Sequence, residues 1–153
     1  MSVAQRLRDL GIALPAAAPP AANYVPFVRA GDLLFIAGQL PFVDGRLQHP
    51  GTVGADVAMA DAVAAARYCG LNIIAQINAA CEGDLERVRR IVRLGGFVAS
   101  ASGFHDQPKV VDGASDLMVA VFGDAGRHAR AAVGTNALPR GACVEIDAIA
   151  QIA

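Results

Sequence analysis

An arginine and a glutamate near the C-terminal end are the residues best suited to chemistry. Arg130 lies in Gly126-Arg127-His128-Ala129-Arg130-Ala131-Ala132-Val133, and Glu145 in Cys143-Val144-Glu145-Ile146-Asp147-Ala148, with Leu138-Pro139-Arg140-Gly141 between them. The two apolar runs read as short strands joined by a Pro/Gly turn, which predicts that the two side chains project side by side into a cleft. A guanidinium forks onto both oxygens of a carboxylate, and a neighbouring glutamate handles protons or water. That chemistry suits a small carboxylate-bearing substrate. The same pair can also be a purely structural ion pair at an interface.

Other polar residues offer less. Ser100, Ser102 and His105 could be imagined as nucleophile and base, but no elbow motif or third group supports them. His49, His105 and His128 share no metal-ligand spacing with each other or with the cysteines, so no zinc site is expected. His128 reads as a solvent or interface histidine, and Arg127 and Arg140 as surface charges. Cys69, Cys81 and Cys143 are widely spaced, odd in number and set in apolar patterns. They read as buried reduced thiols, as suits a reducing cytoplasm.

The elements that position these residues must come from a 153-residue chain, a length that fits one domain. Hydrophobic residues make up 54% against 18% charged, and mean hydropathy is +0.41. Much of that is alanine, and no apolar run approaches membrane-spanning length, so an interface explains it better than a membrane. The net charge of −1 gives no footprint for nucleic acid. Arg87, Arg89, Arg90 and Arg93 follow Glu82, Asp84 and Glu86, a solvated or interface-facing mixture rather than a phosphate track. The first residues lack the features of a signal peptide, so export is not expected.

Residues 1–13 read as a short amphipathic helix through Val3, Leu7 and Leu10, closed by Gly11, and Pro15 to Pro20 as an extended lead-in. Residues 1–20 thus form an extension on a domain spanning 21–153. Val25 to Val28 and Leu33 to Ala37 predict strands around an Ala30-Gly31-Asp32 turn, then a loop punctuated by Asp44-Gly45 and Pro50-Gly51. A helix from about Asp56 to Ala80 follows, with Asp56 as its cap and Gly70 allowing close backbone approach. Val88 to Ser100 predicts a long strand whose Gly95-Gly96 marks a bulge or close packing. Asp112 or Ser115 would cap a second helix ending near Gly123.

This order gives an α+β domain, one sheet with two helices on one face. On the last strand Val144, Ile146, Ala148 and Ala150 share the helix-facing side, and Cys143, Glu145, Asp147 and Ile149 the other. Leu33 to Ala37 shows no polar alternation, so both its faces need cover. Two helices cover only one. Copies of the same chain would cover the second, which predicts an obligate homo-oligomer with the Arg/Glu cleft near a subunit boundary.

Tyr24, Phe35-Ile36-Ala37-Gly38-Gln39-Leu40-Pro41, Ala129-Arg130-Ala131-Ala132-Val133, Leu138-Pro139 and Val144-Glu145-Ile146-Asp147-Ala148-Ile149-Ala150 together resemble the RidA/YjgF family of reactive-intermediate deaminases. Arg6-Leu7 to Leu14-Pro15, Asn23-Tyr24-Val25-Pro26, Gly113-Ala114-Ser115-Asp116-Leu117 and His128-Ala129-Arg130 resemble its longer branch, labelled endoribonuclease L-PSP. The resemblance implies a chorismate-mutase-like fold, a homotrimer, and clefts at the subunit boundaries. It puts substrate-carboxylate binding on Arg130, water or proton handling on Glu145, an aromatic contact on Tyr24 and pocket backbone on Gly38. The chain departs from many deaminases at Ala37, where they carry a hydroxyl, and at Ala132, where they carry cysteine. Both changes remove polar groups from the substrate site.

Three functions compete. The first is hydrolytic deamination of 2-imino or enamine acids, with a 2-oxo acid as product and without metal or organic cofactor. The second is a non-catalytic trimer that binds a small carboxylate through Arg130. The third is ribonuclease activity, against which stand the near-neutral charge and the want of a basic groove.

Overall fold

The computed structural model describes residues 1–19 and 22–153. The end of the Pro15–Pro20 lead-in and the boundary expected at residues 20 and 21 lie outside the described residues.

Helix α1 spans Val3–Asp9, capped by Ser2, whose hydroxyl accepts from the Gln5 amide at 3.0 Å. Gly11 turns the chain away with φ +66°. Strands β1 (Phe27–Ala30) and β2 (Leu33–Gln39) form a hairpin. The loop after β2 holds a small second hairpin, β3 (Phe42–Val43) and β4 (Arg46–Leu47). Its turn is Asp44-Gly45, both with positive φ, as such a two-residue turn requires. Helix α2 (Met59–Ala80), strand β5 (Val88–Ala99), helix α3 (Gln107–Phe122), and strands β6 (Ala129–Thr135) and β7 (Val144–Ile152) complete the chain.

The five long strands make one mixed sheet in the order β1-β2-β7-β5-β6. Only β5 and β6 run parallel, and α3 provides the crossover that parallel neighbours need. The expected alternation on β7 holds: Val144, Ile146, Ala148, Ala150 and Ile152 are buried against the helices. Cys143, placed with the opposite face from sequence, is fully buried just before the strand begins. Among the described residues, no helix is long and apolar enough to cross a membrane.

Two local readings need correction, and of the two alternatives at Gly95-Gly96 one holds. Asp56 does not cap α2, which starts three residues later behind Ala58; its carboxylate instead accepts from the Thr52 amide within the preceding loop. Asp112 and Ser115 are not caps either. α3 begins at Gln107, with Pro108 in its first turn, where the missing N–H costs nothing. The register shifts of β5 fall at Val88/Arg90 and Ile91/Arg93, not at Gly95-Gly96. That glycine pair marks close packing: a Cβ on Gly96 would collide with Val111 of α3, and one on Gly95 with Asp147 of β7.

On β2, Leu34 and Ile36 are buried beneath the helices, whereas Phe35 is 42% exposed on the other side. Phe97, Val133 and Val28 are also exposed there. The helices thus cover one face of the strand and leave an apolar second face open within the single chain.

The helical layer depends on two close approaches. Gly70 of α2 sits against Ala114 and Leu117 of α3, as expected for close packing, and a Cβ on Gly113 would overlap the Val63 carbonyl of α2. Replacing glycine by alanine inside a helix ordinarily gains up to about 1 kcal/mol. Gly113→Ala should instead lower stability in urea unfolding by about 1–3 kcal/mol, the cost of overpacking.

Candidate active site

Arg130 sits on β6 opposite the buried Leu94, so its side chain leaves the sheet on the helix-facing side. There it meets α3. Nη1 lies 2.9 Å from Asp112 Oδ1 and donates to Ser115 Oγ at 3.0 Å, and Nη2 donates to the Pro108 carbonyl at 3.2 Å. A guanidinium has five donors. Ser115 and the Pro108 carbonyl take one donor each and Asp112 lies against Nη1 as an ion pair, which leaves Nε–H and one Nη2–H without a partner among the described residues, the number a carboxylate fork uses. Ser115 Oγ also lies 2.9 Å from His128 Nε2, and His128 Nδ1 lies 2.6 Å from the Gly126 carbonyl.

Glu145 occupies the other face. It is in register with the exposed Phe97, while its neighbours Val144 and Ile146 are buried. The β2–β7 ladder shifts register between Ile36 and Gln39, and this irregularity lays Gly38 directly over the Glu145 carboxylate. Any Cβ at position 38 would collide with Glu145 Oε1, so glycine is required if that carboxylate is to keep its place. Burial, together with the charge of Asp147, raises the Glu145 carboxyl above its ordinary range.

A cavity of about 440 Å³ has Tyr24, Ala37 and Gly38 in its wall; Glu145 does not line it but lies against Gly38, which does. Its opposite wall is the N-terminal strap, Pro15, Ala16, Ala18 and Pro19. The strap is held by Gln76, a buried side chain of α2, which donates to the Ala18 carbonyl at 2.8 Å. Asn72 of α2 donates to the Leu40 and Phe42 carbonyls at 3.0 and 3.1 Å and so fixes the cavity floor. Arg140, read from sequence as a surface charge, also lines the cavity. Its guanidinium lies 5.7 Å from the Phe42 ring centroid, and its backbone has φ +59°.

The six candidate residues therefore fall into two groups. Tyr24, Ala37, Gly38 and Glu145 gather at the β2–β7 seam, and Arg130 and Ala132 at the β6 edge. The expected side-by-side placing of Arg130 and Glu145 does not occur within one chain. β5 lies between β6 and β7, and the two side chains leave opposite faces. From β2 to β6 the sheet spans three strand spacings, about 14 Å. Sequence reading also missed the partners of Arg130. Asp112 and Ser115 read as caps and His128 as a solvent or interface histidine, because no short-range spacing links positions 13 to 18 residues apart. The thiols stand aside. Cys69, Cys81 and Cys143 are buried and free, and burial pushes Cys143 up to about 11.

A mixed sheet backed on one face by two long helices is the chorismate-mutase-like α+β fold. The family model described as "YjgF/chorismate_mutase-like, putative endoribonuclease" matches residues 4–152, and the chain belongs to that family. It is 49% identical over 151 residues to Protein TCP17 of Trypanosoma cruzi, covering 98% of this chain and 94% of that one. It is 50% identical to the solved structure of Atu1372 from Agrobacterium tumefaciens, with a TM-score of 0.92 and coverage of 99% and 92%. RidA from an Antarctic Psychrobacter is more distant, at 27% identity and a TM-score of 0.61 over 90% of this chain and 94% of that one.

The raised Glu145 carboxyl has a consequence for stability. A carboxyl that binds its proton more tightly when folded contributes stability below its unfolded pKa and loses it as pH rises through the folded value. Glu145→Gln removes that loss. In denaturant titrations the variant should match wild type near about pH 4 and gain on it steadily towards neutrality.

Proposed function

We propose that the protein hydrolyses reactive 2-imino or enamine acids to 2-oxo acids and ammonia, at clefts where copies of the chain meet. The observation that carries this reading is the division of the site. Arg130 keeps a carboxylate fork's worth of free donors at the β6 edge, while at the β2–β7 seam a glutamate with a raised pKa lies against Gly38, a residue of the cavity wall. A trimer that sets one copy's β6 edge against a neighbour's β2–β7 seam would join the two halves. The exposed apolar face around Phe35, Phe97 and Val133 supports such an assembly. RidA among the structural relatives supports the chemistry. A reducing compartment such as the cytoplasm suits three buried free thiols.

In this reaction the imine carbon is already electrophilic. Arg130 would hold the substrate carboxylate, a charge-assisted contact worth about 1.5–3 kcal/mol per bond. Glu145 would take a proton from water as its oxygen bonds to the imine carbon, and return it to the nitrogen. The carboxylate of Glu145 would then take the proton of the carbinol O–H and pass it to the same nitrogen as the C–N bond breaks, so that ammonia leaves and the oxygen becomes the ketone of the 2-oxo acid. Proton transfer of this kind contributes roughly 10²–10⁴-fold in rate. The second reading, a trimer that binds a small carboxylate without turnover, is favoured by Ala37 and Ala132, which offer the substrate no polar group.

Light scattering at micromolar concentration should return three times the 15.7 kDa chain mass; a folded monomer would sink the assembly. The chemistry is tested with a dehydratase that generates the imine and semicarbazide to trap what survives. Arg130→Ala should abolish both 2-oxo acid binding and hydrolysis. Glu145→Gln should retain binding and slow hydrolysis at least about tenfold. Wild-type binding with only the spontaneous rate of hydrolysis would leave the binding trimer as the correct reading.

A further inference from the structure

Ser115 and His128 have no task in the reaction just described, yet they stand directly behind its proposed anchor. The Gly126 carbonyl can only accept, so the 2.6 Å contact requires the hydrogen of neutral His128 to sit on Nδ1. Nε2 is then a lone pair. Ser115 Oγ, 2.9 Å away, must donate to it. The hydroxyl oxygen, having spent its one hydrogen, turns its lone pairs outward and accepts from Arg130 Nη1 at 3.0 Å. Each member dictates the polarity of the next. A serine inside a helix commonly returns its hydroxyl hydrogen to the carbonyl one turn back. No such bond forms among the described residues, because the imidazole takes that hydrogen.

Asp112 gives the chain of bonds a purpose. It lies 2.9 Å from the same Nη1 and is half-exposed, while Arg130 is three-quarters covered. An arginine beside a carboxylate tends towards a two-pronged pairing. End-on through Nη1 and Nη2, or side-on through Nε and Nη2, such a pairing would draw on Nη2, which the Pro108 carbonyl and a substrate both need. With Ser115 on one Nη1 hydrogen and the Pro108 carbonyl on Nη2, Asp112 is confined to a single prong.

We propose that Ser115 and His128 are positioning residues. Through a one-directional relay from the Gly126 carbonyl they hold Arg130 with its free edge outward, reserved for the carboxylate of the substrate. The relay rests on the reading of Arg130 as the carboxylate anchor, and the experiment separates the two.

Pyruvate affinity, by calorimetry, and the kcat and KM of imine hydrolysis are measured for wild type and for Arg130→Ala, Ser115→Ala, His128→Asn and His128→Gln. Asparagine reproduces only the Nδ1 position of histidine, whereas glutamine places a polar atom at Nε2. Ser115→Ala and His128→Asn should each raise the pyruvate Kd and KM about five- to tenfold with kcat within about twofold, the scale of one hydrogen bond to a charged group. His128→Gln should stay near wild type. Unchanged affinity in both disabled variants, a fall in kcat alone, or His128→Gln behaving like His128→Asn would overturn the relay. If Arg130→Ala binds pyruvate as wild type does, the anchor reading fails first. Should Ser115→Ala or His128→Asn not fold, nitrogen NMR of the wild-type histidines decides, with His128 assigned by its missing signal in His128→Gln. A hydrogen on Nδ1 and a lone pair on Nε2 support the relay; the opposite tautomer overturns it.

Discussion

Every second side chain of β7 must stay dry, and the rest of the sheet is arranged around that requirement. Val144, Ile146, Ala148, Ala150 and Ile152 are buried on the helix-facing side, where α2 packs on the strand, and burying a valine or isoleucine is worth about 1.5–3 kcal/mol. A slip of one residue would turn this row to the open face and bury Glu145 and Asp147 in its place. The register of β7 is thereby set, and with it the partners on both flanks. Gly38 of β2 comes to lie over Glu145, and Gly95 of β5 beside Asp147. The position of the candidate glutamate is thus a by-product of where its neighbours have to be.

The same alternation made the fold legible from sequence. Period two in β7, the unbroken apolar run of β2 and the long alanine-rich helix each point to one local structure. What escaped were relations between elements. Arg130 and Glu145 sit on consecutive strands, but β6 joins β5 in parallel through α3, so β5 comes between them. Chain order is a poor guide to strand order wherever a helical crossover intervenes. The cap readings failed for a related reason. Asp, Ser and Thr side chains suit several local roles equally well. Only the folded chain shows that Asp112 and Ser115 spend their oxygens on an arginine fifteen or more residues away.

The β6 edge and the centre of the sheet treat charge differently. At the β6 edge a guanidinium is surrounded by acceptors, and its charge is shared with Asp112, Ser115 and a backbone carbonyl. At the β2–β7 seam a carboxyl is half-buried beside a second carboxylate, Asp147, which in turn lies 3.7 Å from Arg93. The edge therefore stabilises its charge and the centre discourages it. An anion is welcome at the first, and a proton at the second.

The N-terminal strap has a further consequence, and it is evolutionary. Pro15 to Pro19 form a wall of the cavity yet belong to no strand of the sheet, and the buried Gln76 reaches them through a backbone carbonyl rather than a side chain. Such a bond is indifferent to residue identity. The part of the cavity formed by Ala37 to Gln39 is bound to the β2–β7 ladder, whereas the strap can exchange side chains without disturbing a single ladder. A change of side chain along the strap therefore reshapes the cavity while the sheet that carries the polar groups stays still.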